Sequence, residues 1–368
     1  MRRSWLLAAL AGPLDYCCRD RERLLDALAL GDDELIGALG GRRRCELARD
    51  YASLTAAEVP AAGTAHGGRP VCCHHARFPA GLRFASGPRA LWVAPDAGRL
   101  CELARGPVVA LLGSGRGSDY GMEVSHALAR GLAAAGVAVA TLTRDGICAA
   151  ACAGALEAEG AVLCVVPCGI DAAAPAHARS TRVRIEGRGC VFAELPSGVP
   201  ARRWAQAASE RLAVGVADVT IVVEAEDSRR ELAPARLAEA LKRPLAAVPG
   251  RVTSPLASGT NALLAEGAKL VRGPRDALEL LGLGAPQPVV RADARGALHP
   301  ELRRLLEEVS GGRDTPDLLV HGSRRLPAVL HALSELELRQ LLVRGDGGRY
   351  LPRSDATAPK ATARGSLS

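Results

Sequence analysis

The spacing of apolar positions changes twice along the chain. In "DRERLLDALAL" (Asp20 to Leu30) and "DDELIGALGG" (Asp32 to Gly41) they recur every three or four residues, the period of one helix face. "RRRCELARDYASL" (Arg42 to Leu54) repeats it, so residues 1–60 are read as a small helical module. From Val71 to about Gly282, continuous apolar runs alternate with amphipathic segments. "PVVALLG", "VAVAT", "AVLCVVP", "ADVTIVVEA" and "PLAAVPG" read as strands. "MEVSHALARGLAAAG", "CAAACAGALEAEG", "ARLAEALKR" and "GTNALLAEG" read as helices. Strands apolar on both faces belong to a parallel sheet with helices on both sides, which makes the expected class α/β over residues 71–283.

Two stretches of linker composition, 61–70 and 285–296, bracket that region. Beyond the second, "HPELRRLLEEV" and "RRLPAVLHALSELELRQ" read as helices, and "LLVRGDGGRYLP" as a hairpin around Gly345 to Gly348. Helices followed by a small hairpin predict a winged helix over 297–353. The Ala-, Thr- and Ser-rich residues 354–368 read as a disordered tail.

Composition narrows this picture. Hydrophobic residues make up 48% of the 368 and aromatics only 3%, so the core is built from Ala, Leu and Val. A net charge of +7 permits an anionic partner without requiring one. The eleven cysteines are odd in number and scattered, and "MRRSWLLAALAGPLDYCC" is too short an apolar run for a secretory signal. Mostly buried thiols in a reducing cytoplasm are expected. No run of about twenty apolar residues predicts a membrane span.

The candidate chemistry begins at "VVALLGSGRGSDYG" (Val108 to Gly121), a strand, a glycine-bearing turn and a helix start. Glycines let backbone approach an anion, and a helix N-terminus offers free amides to it. Ser118 stands where a dinucleotide fingerprint needs its third glycine, and no acidic residue closes a second strand to hold a ribose. The Gly-Lys-Ser/Thr of a Walker loop is missing too. A second strand ends in Pro249-Gly250, and Ser258 to Asn261, including Gly259, open another helix. Both turns fall at the carboxyl edge of the sheet, where such folds bind ligands.

These pieces, in this order, resemble the DNA processing protein A (DprA/Smf) family. The resemblance runs from about Val71 to Leu281. It rests on "VCCHHARFPAGLRFASGPRALWV", "VALLGSGRGSDYG", "DGICAAACAGALEAEGAVLCVVPCGID", "AELPSGVPA", "VGVADVTIVVEA" and above all "AVPG…SPLASGTNALLAEGAKLV". It implies an extended Rossmann-like domain that binds single-stranded DNA without cutting it. It also implies dimerisation and loading of the RecA recombinase onto DNA taken up in natural transformation. The residues it places at the DNA are Gly113, Ser114, Gly115, Arg116, Arg144, Gly146, Arg211, Pro249, Gly250, Gly259 and Asn261.

The departures are specific. Gly115 occupies the place of the family arginine after Gly-Ser, with Arg116 beside it. In "TLTRDGIC", Asp145 takes an arginine position, Cys148 an aspartate position, and Arg144 stands one residue early. The Arg-Asn-Arg segment is Ser209-Glu210-Arg211, and a Ser-Gly-Ser helix start is Arg229-Arg230-Glu231. Each lost arginine removes a charge-assisted contact to phosphate, and Asp145 repels one. Arginines 116, 144, 202, 203, 229 and 230 offer compensation from shifted positions.

Other groupings read as structural. Four successive ligands in "CCHH" (Cys72 to His75) are not expected to face one tetrahedral ion, and a cluster of Cys148, Cys152, Cys164 and Cys168 is a weaker reading than core thiols. No metal or cofactor is expected. Glu194 and Glu224 close apolar strands, where paired carboxylates serve acid–base chemistry, but the resemblance carries both without an activity. Two alternatives stay open: a nucleotide-binding or nucleotide-cleaving protein on the same fold, and a winged-helix docking protein with a vestigial groove.

Overall fold

The computed structural model describes residues 2–54, 69–171, 176–283, 299–310, 326–338, 341–344 and 350–352. The chain divides into two units, residues 1–284 and 285–368. The two linkers lie largely or wholly outside the described residues, and the tail lies wholly outside them.

A nine-stranded sheet organises the first unit. Its strands are β1 (Arg69–Cys72), β2 (Ala90–Ala94), β3 (Val108–Leu112), β4 (Ala138–Leu142), β5 (Val162–Val165), β6 (Cys190–Ala193), β7 (Val219–Val222), β8 (Leu245–Ala247) and β9 (Lys269–Leu270). Their spatial order is β1-β2-β6-β5-β4-β3-β7-β8-β9. Strands β3 to β9 run parallel, as the apolar runs predict. The purely parallel expectation needs one correction: β1 and β2 form an antiparallel ribbon, and β2 joins β6 antiparallel. Residues 73–89 between β1 and β2 hold one short 3-10 turn, Ala80–Leu82, and no crossover helix, so the chain returns antiparallel.

The core strands feed two cores by alternation. Val109 and Leu111 face one side; Val108, Ala110 and Leu112 face the other. Helices α7 (Asp119–Ala134), α8 (Ile147–Glu157), α9 (Ala176–Arg188) and α13 (Pro274–Leu280) cover the first face. Helices α6 (Ala97–Leu103), α10 (Arg203–Val216), α11 (Ala233–Ala240) and α12 (Ser258–Ala265) cover the second. α10 is buried along nearly its whole length, because the amino-terminal helices pack on its outer side.

Those helices are α1 (Arg2–Ala9), α2 (Ala11–Cys17), α3 (Arg21–Ala29), α4 (Asp32–Leu39) and α5 (Arg44–Ser53). Leu6, Leu7, Leu10, Leu14, Leu24 and Leu35 form one cluster with Trp204, Ala205 and Ala208 of α10. The module is thus a cap sharing its core with the sheet domain. Asp20 starts α3 by accepting the amides of Glu22 (3.0 Å) and Arg23 (3.3 Å), and this cap fixes where the flanking arginines emerge.

In the second unit, helices α14 (Pro300–Ser310) and α15 (Leu326–Leu338) share an apolar cluster with Leu342. β10 (Leu342–Arg344) pairs antiparallel with β11 (Tyr350–Pro352), the hairpin read from the sequence. Residues 311–325, between the two helices, lie outside the described residues, and so does the turn of the hairpin. Among the described residues no helix is long and apolar enough to cross a membrane.

Candidate nucleic-acid interface

Strand order reverses at β3: β4 to β6 continue on one side and β7 to β9 on the other. The crevice outside the carboxyl ends at such a reversal is the usual ligand site of an open α/β sheet. The loop after β3 enters it. Gly113 has no room for a side chain, because a Cβ would stand 2.7 Å from the Glu224 carbonyl oxygen and 2.9 Å from Ile147. Gly113 and Ser114 are buried, Gly115 is half-buried, and Arg116 is exposed.

Several of the backbone amides expected to grip phosphate are engaged. Ser114 donates its amide to the Glu224 carbonyl at 2.7 Å, and Arg116 donates its amide to the Ser114 hydroxyl at 3.2 Å. Ser118 caps α7 by accepting the Gly121 amide at 3.1 Å. The Glu224 carboxylate accepts the Ser118 amide at 2.8 Å and its hydroxyl at 2.6 Å. The positive end of α7 therefore meets a carboxylate of its own chain. Glu231 intrudes similarly, accepting the Ser114 hydroxyl at 3.2 Å and the Glu226 amide at 2.8 Å.

The loop after β4 closes on the first. Gly146 has φ +70°, and a Cβ there would stand 2.7 Å from the Ser114 carbonyl oxygen. Arg144 lies across both loops, donating through Nη2 to the Gly113 carbonyl at 2.5 Å and through Nη1 to Glu210 Oε1 at 3.1 Å. At the third loop, Asn261 clamps Gly250 reciprocally, with both contacts at 3.2 Å. Tyr120 ties this loop to α7 by donating to the Pro249 carbonyl at 3.0 Å. Gly259 donates its amide to the Ala225 carbonyl at 2.9 Å. Gly113, Ser114, Gly115, Arg144 and Gly146 thus come together, and Pro249, Gly250, Gly259 and Asn261 form a neighbouring turn.

Arg211 departs from its expected place. It is 1% exposed and pairs with Glu194, itself 7% exposed, at 2.7 Å. On α10 it follows Trp204, Ala207 and Ala208 at helical spacing, so it falls on the buried face and points into the interior. It is a structural ion pair and cannot reach a strand lying on the rim.

What the rim does present is a cleft of about 1320 Å³ beside the ends of β4 and β5, between α3, α10 and α11. Seven arginines and five carboxylates line it, leaving a basic surplus. Arg19, Arg203, Arg229 and Arg230 are exposed there. Arg203, Arg229 and Arg230 form no ion pair among the described residues, whereas Arg236 pairs with Glu239 and Glu266. Glu210 forms part of the cleft floor between Arg144 and Arg21, the latter at 3.4 Å. Burial pushes the Glu210 carboxyl above the ordinary carboxylate range, against the pull of Arg21, Arg144 and Arg230. Sequence reasoning did not place Arg19 and Arg21 here; Arg21 meets Glu210 across 189 residues of chain, a distance no local pattern bridges.

Burial raises the Cys152 thiol to about 11 and pushes Cys164 and Cys190 well up, so all three stay protonated at neutral pH.

An open parallel sheet with a reversal crevice, a basic cleft at its carboxyl rim and no dinucleotide fingerprint defines a Rossmann-like binding domain. Residues 69–282 match the DNA recombination-mediator protein A family, and the chain belongs to it. It is 35% identical over 284 residues to a DNA processing protein DprA of Mycobacterium tuberculosis, covering 76% of this chain and 72% of that one. The fold resembles that of DNA processing protein A from Streptococcus pneumoniae, with a TM-score of 0.58, 23% identity, and coverage of 68% of this chain and 86% of the other. It also resembles DNA processing protein A from Helicobacter pylori, whose structure concerns a single-stranded DNA binding mode. There the TM-score is 0.50, with 24% identity and coverage of 58% and 95%.

Proposed function

We propose that this chain is a cytoplasmic DNA-processing mediator that holds single-stranded DNA along the carboxyl rim of its sheet and passes it, as a homodimer, to a recombinase of the RecA class during DNA uptake. The observation that carries the DNA-binding step is the cleft whose exposed Arg203, Arg229 and Arg230 form no ion pair among the described residues. Guanidinium groups on flexible stems grip phosphate with little regard to sequence. Family membership supports the same reading. Side chains supply much of the grip, because the amides of Ser114, Arg116 and Ser118 are engaged within the fold. The rim holds the strand without cutting it: Glu194 is tied to Arg211 and Glu224 to Ser118, so neither carboxylate is poised for acid–base work. The helix pair and hairpin of the second unit act in this reading as a winged helix.

Salt titration of binding to a labelled oligo-thymidine strand tests the proposal. Affinity is expected to fall steeply with salt, and Arg229→Ala with Arg230→Ala should flatten the log–log slope by about 1.4, the share of two phosphate contacts. An absence of binding to the parent at low salt rejects it.

A further inference from the structure

At the end of β1 the chain turns sharply. Cys72 still pairs with Ala90, and Cys73 adds one more rung by donating its amide to the Arg89 carbonyl at 2.9 Å. His75 then donates its amide back to the Cys72 carbonyl at 2.9 Å, closing a β-turn over Cys73 and His74. In an extended strand successive side chains point apart; in this turn three of them converge. The donor atoms of Cys72, Cys73 and His74 all lie within 4.8 Å of one another. As expected, the four successive residues do not all face one point; three do. His75 is turned to its own backbone, where its Nδ1 accepts the Arg77 amide at 3.1 Å.

The two separations between sulfur and His74 Nδ1 are those of a coordination sphere. Bonds of about 2.3 Å to sulfur and about 2.0 Å to nitrogen, at the tetrahedral angle, set sulfur and nitrogen roughly 3.5 Å apart. Cys72 Sγ lies 3.5 Å and Cys73 Sγ 3.7 Å from His74 Nδ1. The scaffold is braced: Arg83 donates to the Cys73 and His75 carbonyls, both at 3.0 Å, and Phe78 anchors the following turn in the core at 2% exposure. The three ligands remain at the surface, open to an ion from solvent.

We infer that Cys72, Cys73 and His74 form a binding site for a thiophilic closed-shell cation, zinc(II) or copper(I), with the remaining coordination position left to solvent. Two thiolates and an imidazole suit these ions and disfavour magnesium and calcium. The site sits on the outer ribbon of the sheet, away from the sheet's reversal crevice, so it does not depend on the proposed DNA role.

Cobalt(II) titration of the reduced, chelator-treated full-length protein tests it. One equivalent should produce near-ultraviolet thiolate charge-transfer absorption, bleached by zinc(II); copper(I) is measured separately against a chromophoric chelator. Cys72→Ser, Cys73→Ser and His74→Ala should each weaken apparent affinity by more than about tenfold, while Cys45→Ser and His75→Ala leave it in place. Far-UV circular dichroism checks that each variant stays folded. The inference is overturned if the parent gives no stoichiometric band and no copper(I) binding, if the His74 variant binds as the parent does, or if His75→Ala abolishes binding.

Discussion

Arg211 and Glu210 are neighbours in sequence with opposite fates. Arg211 enters the core and is neutralised there by Glu194; Glu210 faces the cleft and takes up Arg144 and Arg21. Removing one partner of a buried pair strands the other charge, so Arg211→Ala should cost about 3–5 kcal/mol, read as a lowered urea midpoint. Any loss of DNA binding in that variant should track unfolding. Glu210→Asn puts in place the asparagine that the sequence resemblance implies and releases two arginines to the cleft. It should tighten single-strand binding, and unchanged or weaker binding argues against Glu210 as an internal competitor for phosphate. The pH dependence has a definite sign. Because the folded state raises the Glu210 pKa, the native protein binds the proton more readily than the unfolded chain. The parent should therefore gain stability relative to Glu210→Gln as pH falls from the raised value toward the ordinary carboxylate range, then run parallel to it below. Melting curves of the two proteins across that window measure it. The burial of Arg211 follows from helical spacing with Trp204 and Ala208 on α10, a helix that was not among those read from the sequence; the pairing of Glu210 with Arg21 was not legible either, since it spans the chain.

At the scale of elements, apolar runs and amphipathic segments located β3, β4, β5, β7 and β8 and helices α7, α8, α11 and α12 because each has a core on a known side; β6, only four residues long, was not read. α9 escaped that reading, since "AHARSTRVRIEGR" carries few apolar residues and no stripe of them. The outer strands β1 and β2 were concealed for a different reason: they lie in a stretch rich in Gly, Pro and Arg, and only pairing with β6 organises them. The glycine loops lie where that reading put them, and the structure gives their small residues a packing task as well. Their small residues let two loops pack on each other and on β7, as Gly146 shows with its positive φ and its closeness to Ser114. Gly146→Ala should destabilise the protein by roughly 2 kcal/mol or more, combining the left-handed strain of a Cβ with a clash against backbone. A shift in melting temperature checks it. A neutral result would mean the two loops can separate.

For the whole molecule, residues 1–284 enclose the sheet, its two cores and the helical cap. That fragment is expected to unfold in one cooperative transition and to keep the oligo-thymidine affinity of the parent. Loss of affinity in a folded fragment would assign part of the grip to the second unit. A shorter fragment beginning at residue 69 should fare worse, because it uncovers Trp204 and the apolar side of α10. The cap explains why the domain boundaries read from linkers are only part of the organisation: its core is shared with a helix that begins some two hundred residues downstream.

The cleft draws Arg19 and Arg21 from the first helices and Arg229 and Arg230 from the approach to α11. During translation the earliest of these groups leaves the ribosome long before the last, and domains generally mature as units once their sequence has emerged. A half-made polypeptide is thus unable to capture nucleic acid through this surface, and competence arrives only when the late-emerging half has docked against the early one.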